Sequence, residues 1–169
     1  MRVTIRDLSE MKHQGEKIVM LTAYDYTSAK ILEEVGIPIM LVGDSVGGAV
    51  LGYDSTVPVT MAEMLHHIKA VVRGTHKAHI VGDMPFLTYQ VDVVEAIHNA
   101  GRILQEGGAQ SVKLEGGRHV AETVRRIVEA GIPVMGHIGF TPQSVNQIGA
   151  DLVQGESLDA AMGLIKDAK

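Results

Sequence analysis

Residues 37–45 read Ile-Pro-Ile-Met-Leu-Val-Gly-Asp-Ser: an apolar run that ends abruptly in a glycine, an acid and a hydroxyl. The run is too short for a helix and shows no polar alternation, which is the pattern of a strand covered on both faces in a parallel sheet. The same pattern recurs on either side of it. Ile18–Tyr24 ends at Asp25, and Ala78–Val81 ends in Gly82-Asp83-Met84-Pro85. Ser111–Glu115 ends in Gly116-Gly117, and Pro133–Ile138 ends at Gly139.

Helical patterning fills the intervals. Tyr26–Val35 closes at Gly36, a good residue for the left-handed turn beyond a helix end. Thr60–Arg73 opens on a Thr with Glu63 three positions later, a capping box, and stops at Gly74. Val91–Glu106 and Val120–Ala130 run into Gly107 and Gly131. Apart from a longer loop between Gly47 and Val59, strand and helix alternate, which predicts a parallel α/β fold. Beyond Thr141–Glu156, a polar stretch, a last helix starts near Ser157 with Leu158, Ala161, Met162, Ile165 and Ala168 on one stripe.

Two architectures accommodate this order. One is an open doubly wound sheet. The other is a (β/α)8 TIM barrel with about five of its eight units present, so that residues 1–169 form a single partial barrel domain; a full barrel takes ~250 residues. On that reading the chain is cut short where a sixth strand is due, leaving open sheet edges. The nucleotide signatures of doubly wound folds are absent, since Gly43–Gly48 lacks dinucleotide-fingerprint spacing and no Walker-type GK[ST] occurs.

Composition removes several functions. The net charge of -5 argues against a nucleic-acid-binding face, which needs clustered Lys and Arg. The absence of cysteine excludes disulfides and thiolate metal sites. No apolar window approaches a membrane span, and the charged N-terminus lacks a signal-peptide core, so a soluble, cytoplasmic protein is expected.

Ligands bind parallel α/β folds at the carboxyl ends of the strands. Here those ends carry Tyr24-Asp25, Asp44-Ser45, Asp83, Lys113 with Glu115, and His137. Asp44, Asp83 and Glu115 at one mouth would repel unless a cation joined them, and an all-oxygen set suits Mg²⁺. The plainer alternative makes Asp44 a turn cap and Asp83 a brace for Pro85. Lys113 and Glu115 are two apart on one strand and so face the same way, with Val112 and Leu114 facing the helices. They form either a structural ion pair or a substrate-facing cation beside a metal-shell acid. His137 is either a core histidine or a hydrogen-bonding partner for substrate oxygen. The histidines at 66, 67, 76, 79, 98 and 119 fall on helices, helix flanks or loops, and the nine methionines read as core filler.

Six strings in order then carry a resemblance: Thr22–Asp25, Val42–Ser45, Thr56–Thr60, Gly82–Phe86, Val112–Gly117 and Gly136–Gln143. Together they look like the ketopantoate hydroxymethyltransferase family from about residue 3 onward. The resemblance implies a barrel related to the phosphoenolpyruvate mutase and isocitrate lyase group, and a homo-oligomer, usually a decamer. It implies transfer of a hydroxymethyl group from 5,10-methylenetetrahydrofolate to 3-methyl-2-oxobutanoate, a 2-oxo acid. The product, 2-dehydropantoate, serves pantothenate and coenzyme A synthesis, and the reaction passes through a Mg²⁺-stabilised enolate. By resemblance Asp44, Asp83 and Glu115 are associated with Mg²⁺, and Asp44, Ser45, Asp83 and Lys113 contact the oxo acid; on physical grounds Lys113 and His137 would add to stabilisation of the enolate oxygen. The family's general base, a glutamate ending the sixth strand, has no counterpart in residues 1–169. Two alternatives stand beside this reading. One is an inactive fragment that only binds metal or oxo acid, or packs into an oligomer. The other is a lyase or mutase of the same barrel group, but the cysteine-containing loop usual there is absent.

Overall fold

The computed structural model describes residues 1–149 and 153–169. Residues 150–152, within the polar stretch noted above, lie outside the described residues. The strands are β1 (Met20–Thr22), β2 (Ile39–Val42), β3 (His79–Asp83), β4 (Ser111–Glu115) and β5 (Val134–His137). The helices are α1 (Ile5–His13), α2 (Tyr26–Glu34), α3 (Met61–Gly74), α4 (Val93–Gln105), α5 (Ala121–Glu129), α6 (Val145–Ile148) and α7 (Leu158–Asp167). Among the described residues no helix is long and apolar enough to cross a membrane.

All five strands are parallel and lie in the order β1-β2-β3-β4-β5. A doubly wound sheet reverses its strand order at a switch point; here every crossover adds the next strand on the same side. That is barrel winding, and the five units form part of a TIM barrel. Among the described residues β1 and β5 each pair on one side only, and Val19, Met20 and Leu21 on the β1 edge are exposed.

The register fixes what each face carries. Val81 pairs with Ser111 and Asp83 with Lys113, while Lys113 pairs with Met135 and Glu115 with His137. These residues share the concave face. The other parity, Met40, Val42, Ile80, Val112 and Leu114, is wholly buried with Ile68 of α3, Ile103 of α4 and Ile127 of α5. Each such aliphatic side chain contributes ~1.5–3 kcal/mol by leaving water. At Gly82 the helices α3 and α4 press close on the sheet, since a Cβ there would meet Ile103 at 2.6 Å and Ile68 at 2.8 Å.

Thr60 caps α3 as its spacing predicts: its hydroxyl accepts from the Glu63 N–H at 3.2 Å, and Glu63 Oε2 accepts from the Thr60 N–H at 2.7 Å. Helix α1, by contrast, has no forerunner in the sequence reading. It buries no residue fully, and a Thr4–Asp7 capping box starts it. The loop from Gly47 also differs from expectation, opening with a π-helical turn over Gly47–Leu51 directly after Asp44-Ser45. His79 is not on a helix flank or loop but on β3, buried at the amino end of the sheet. There the Val3 carbonyl and Ser111 hydroxyl satisfy both its ring nitrogens, at 2.9 and 2.8 Å.

Candidate active site at the carboxyl ends of the strands

A cleft of about 500 Å³ opens at the carboxyl ends of the strands. Asp44, Ser45, Asp83, Lys113, Glu115 and His137 all line it, with Met20, Leu41 and Met135 as its apolar wall. The sheet pleat explains the convergence: Asp83, Lys113, Glu115 and His137 share one parity across three adjacent strands. Asp44 and Ser45 join them from the turn that follows β2.

Asp83 sits at the centre and is 1% exposed. Its Oδ2 accepts from Lys113 Nζ at 2.8 Å and from the Asp44 N–H at 3.1 Å. Its Oδ1 is buried without a hydrogen-bond partner. Burial, reinforced by the neighbouring Asp44 carboxylate, pushes the Asp83 carboxyl up to about 7 against the opposing pull of Lys113. Burial likewise raises Asp44, opposed by a hydrogen bond from Gln143 and by Lys113. Glu115 is buried too, with its Oε1 3.4 Å from His137 Nδ1. His137 itself is part-exposed at the cleft rim. The exposed Ser45 hydroxyl shares a 2.8 Å hydrogen bond with the Tyr24 hydroxyl.

The sequence reading did not single out the groups that hold these carboxylates in place. Gln143, 3% exposed, donates through Nε2 to Asp44 Oδ2 at 2.8 Å and to the Met84 carbonyl at 2.9 Å. Its backbone N–H donates to Glu115 Oε2 at 3.0 Å. Its Oε1 accepts from the Tyr89 hydroxyl at 2.7 Å and from Gln90 Nε2 at 3.1 Å. Tyr89 in turn accepts the Glu115 N–H at 3.0 Å, and burial raises its phenol, which stays protonated. One local signal marked Gln143: it follows Thr141-Pro142 at the end of a string already noted after β5. Tyr89, in the loop between β3 and α4, carried none.

Among the described residues no three His, Cys, Asp or Glu side chains are set to enclose a metal ion by themselves. The chemistry of the wall nevertheless fits a hard cation that shares its shell with water and ligand. The donors are carboxylate oxygens, and Asp83 Oδ1 is a buried acceptor with nothing to accept from. Asp44, Asp83 and Glu115 are the residues that would hold such an ion.

Comparison with known proteins agrees with the fold and adds a family. The family model for ketopantoate hydroxymethyltransferase matches residues 2–169. The 3-methyl-2-oxobutanoate hydroxymethyltransferase of Dehalococcoides mccartyi is 63% identical over 169 residues, which is 100% of this chain and 60% of that protein. Proteins of the same name from Carboxydothermus hydrogenoformans and Chloroflexus aurantiacus are each 62% identical over 168 residues, 99% of this chain. The match covers 61% and 59% of those proteins respectively. The chain thus spans about 60% of the length of these relatives. Among solved structures, oxaloacetate acetylhydrolase superposes with a TM-score of 0.62 at 13% identity, over 86% of this chain and 55% of that one. A 2,3-dimethylmalate lyase of the PEP mutase/isocitrate lyase superfamily gives 0.62 at 14% identity, over 89% and 57%. At such identities the likeness is one of fold.

Proposed function

The chain belongs to the ketopantoate hydroxymethyltransferase family, and on that premise we propose that its cleft takes 3-methyl-2-oxobutanoate for hydroxymethyl transfer from 5,10-methylenetetrahydrofolate. The product is 2-dehydropantoate, a precursor for pantothenate and coenzyme A. A bond forms between the substrate carbon next to the ketone and the folate's methylene carbon. The C–H proton of that substrate carbon leaves, both bonds from the methylene carbon to the folate nitrogens break, and water supplies the new hydroxyl. Tetrahydrofolate departs, its two nitrogens taking up the substrate proton and one proton of the water.

The observation that carries this reading is the state of Asp83, with one oxygen paired to Lys113 and the other buried and unpaired in a wall of carboxylates. A 2-oxo acid presents a carboxylate and an adjacent keto oxygen, both acceptors. A wall of carboxylates would repel it without a cation between them. Mg²⁺, when bound by Asp44, Asp83 and Glu115, would supply that charge and act as a Lewis acid on the keto carbonyl. The chain's own groups do the rest. Lys113 holds Asp83 and adds positive charge where the substrate oxygen becomes anionic. Ser45, fixed by Tyr24, offers a hydroxyl at the rim. His137, near Glu115, presents its ring to the same space. Met20, Leu41 and Met135 suit the branched apolar end of the acid. We place the general base outside residues 1–169. The protein is further proposed to act in the cytoplasm as a homo-oligomer, a decamer as in the family.

Turnover with 3-methyl-2-oxobutanoate, methylenetetrahydrofolate and Mg²⁺, beside calorimetric titration of the oxo acid, tests the reading. Binding with turnover supports the reaction but places a general base within residues 1–169. The absence from residues 1–169 of a match to the family's sixth-strand glutamate favours one second reading, a chain that binds the oxo acid without turning it over; binding alone supports that. No Mg²⁺-dependent binding contradicts both.

A further inference from the structure

We propose that Gln143, locked by Tyr89, is a positioning residue that sets Asp44 and Glu115 for divalent-cation binding; this rests on the metal-site reading above.

The hydrogen-bond directions leave little freedom. The Glu115 N–H can only donate, so the Tyr89 oxygen accepts it and the phenolic proton points to Gln143 Oε1. That assignment turns Nε2 towards the Asp44 carboxylate and the Met84 carbonyl, both acceptors. A flipped amide would set oxygen against oxygen at both contacts and lose the Tyr89 and Gln90 bonds.

The consequence is a clamp across two carboxylates. The Gln143 side chain takes Asp44 Oδ2, and its backbone N–H takes Glu115 Oε2. Each acid therefore has one oxygen anchored to the same residue, and its other oxygen stands outside the clamp. Asp83 repeats the arrangement, with Oδ2 anchored by Lys113 and Asp44 N–H and Oδ1 without a partner. Asp44 and Asp83 are each anchored through one oxygen, and Glu115 through Oε2 with its Oε1 3.4 Å from His137 Nδ1. Such supports give a cation site orientation without taking every ligating oxygen. Gln143 also reaches across the fold. It comes from the loop after β5, Asp44 from the turn after β2 and Met84 from the end of β3, so one side chain ties together the mouths of non-adjacent strands.

The test is Mn²⁺ binding by the metal-free protein, read by electron paramagnetic resonance as loss of the free-ion signal. Thermal melting is followed in parallel. Gln143→Met keeps the length of the side chain and removes its hydrogen bonds, and Tyr89→Phe removes only the hydroxyl. The expected result is about 10- to 100-fold weaker Mn²⁺ binding for Gln143→Met, the usual range for lost outer-shell support. Tyr89→Phe should lose a smaller factor, with a melting temperature lowered by a few degrees because the buried Glu115 N–H loses its acceptor. The double variant should lose less than the product of the two factors, because both act through one chain of bonds. If Gln143→Met does not fold, Tyr89→Phe alone decides. Mn²⁺ binding equal to wild type in the folded variants overturns the clamp and leaves the metal-site reading standing. Failure of the wild type to bind Mn²⁺ overturns both.

Discussion

Lys113 Nζ lies 2.8 Å from Asp83 Oδ2, and both side chains are almost wholly removed from solvent. The pair forms because β3 and β4 run parallel with Asp83 and Lys113 in register on the concave face. Its carboxylate keeps one oxygen unpaired, so the pair is incomplete as a structural device. Removing the lysine separates the structural role from the functional one. Without the ammonium, a bare buried carboxylate would cost ~3–5 kcal/mol. Asp83 is already pushed up to about 7, however, and losing Lys113 drives it higher, so it takes up a proton instead. We therefore expect Lys113→Ala to lose only ~1–3 kcal/mol of stability, with turnover falling by about 10²–10³-fold in a form of the protein that carries the general base. Melting and steady-state kinetics on the same preparation check this. A collapsed melting temperature with normal turnover would make the lysine purely structural.

Gly82 tests the packing that positions this pair. An added Cβ would press on Ile103 and Ile68 at 2.6 and 2.8 Å. Gly82→Ala is expected to cost ~1–3 kcal/mol through overpacking, read as a lower denaturant midpoint with an unchanged slope. An unchanged midpoint would mean that α3 and α4 yield without cost.

His79 gives the fold a pH dependence of known sign. Burial lowers its pKa below 6.5, and the Val3 carbonyl requires Nδ1 to carry the proton in the neutral ring. Above pH 6.5 folded and unfolded chains are both neutral at this residue, and its contribution is fully present. As pH falls below 6.5 the unfolded chain takes up a proton that the folded chain resists, and stability is lost. Asp83, raised in the folded state, acts in the opposite sense, since its contribution diminishes as pH rises towards about 7. The difference between wild type and His79→Asn isolates the histidine. That difference should shrink from pH 7.5 to 5.5 in denaturant titrations, and a constant difference would contradict the assignment.

Much of the cleft is legible in the sequence because strand-end residues are placed by local patterning. Once β2, β3, β4 and β5 are recognised as parallel, Asp44, Asp83, Lys113, Glu115 and His137 must lie at one end. Parity alone puts Lys113 and Glu115 on the same face. The clamp is not legible in that way. Gln143 meets Asp44 across 99 positions and Tyr89 across 54, through loops whose closure no local spacing encodes. Helix α1 differs: its capping box and the spacing of Ile5, Leu8 and Met11 mark a helix in the sequence, but it precedes the first strand and so falls outside the strand–helix alternation that organises the rest. His79 shows the converse. It lies within the apolar run Ala78–Val81, yet the sequence reading groups it with the loop and helix-flank histidines; the Val3 carbonyl and Ser111 hydroxyl, both distant in the chain, satisfy its ring and permit its burial on β3.

The most direct test of the central claim is calorimetric titration of 3-methyl-2-oxobutanoate into wild type and Asp83→Ala, each with Mg²⁺ and with a chelator. The account predicts that wild type binds the oxo acid in Mg²⁺ and loses that binding in chelator, while Asp83→Ala binds in neither. Equal oxo-acid affinity for wild type and Asp83→Ala in Mg²⁺ would contradict it.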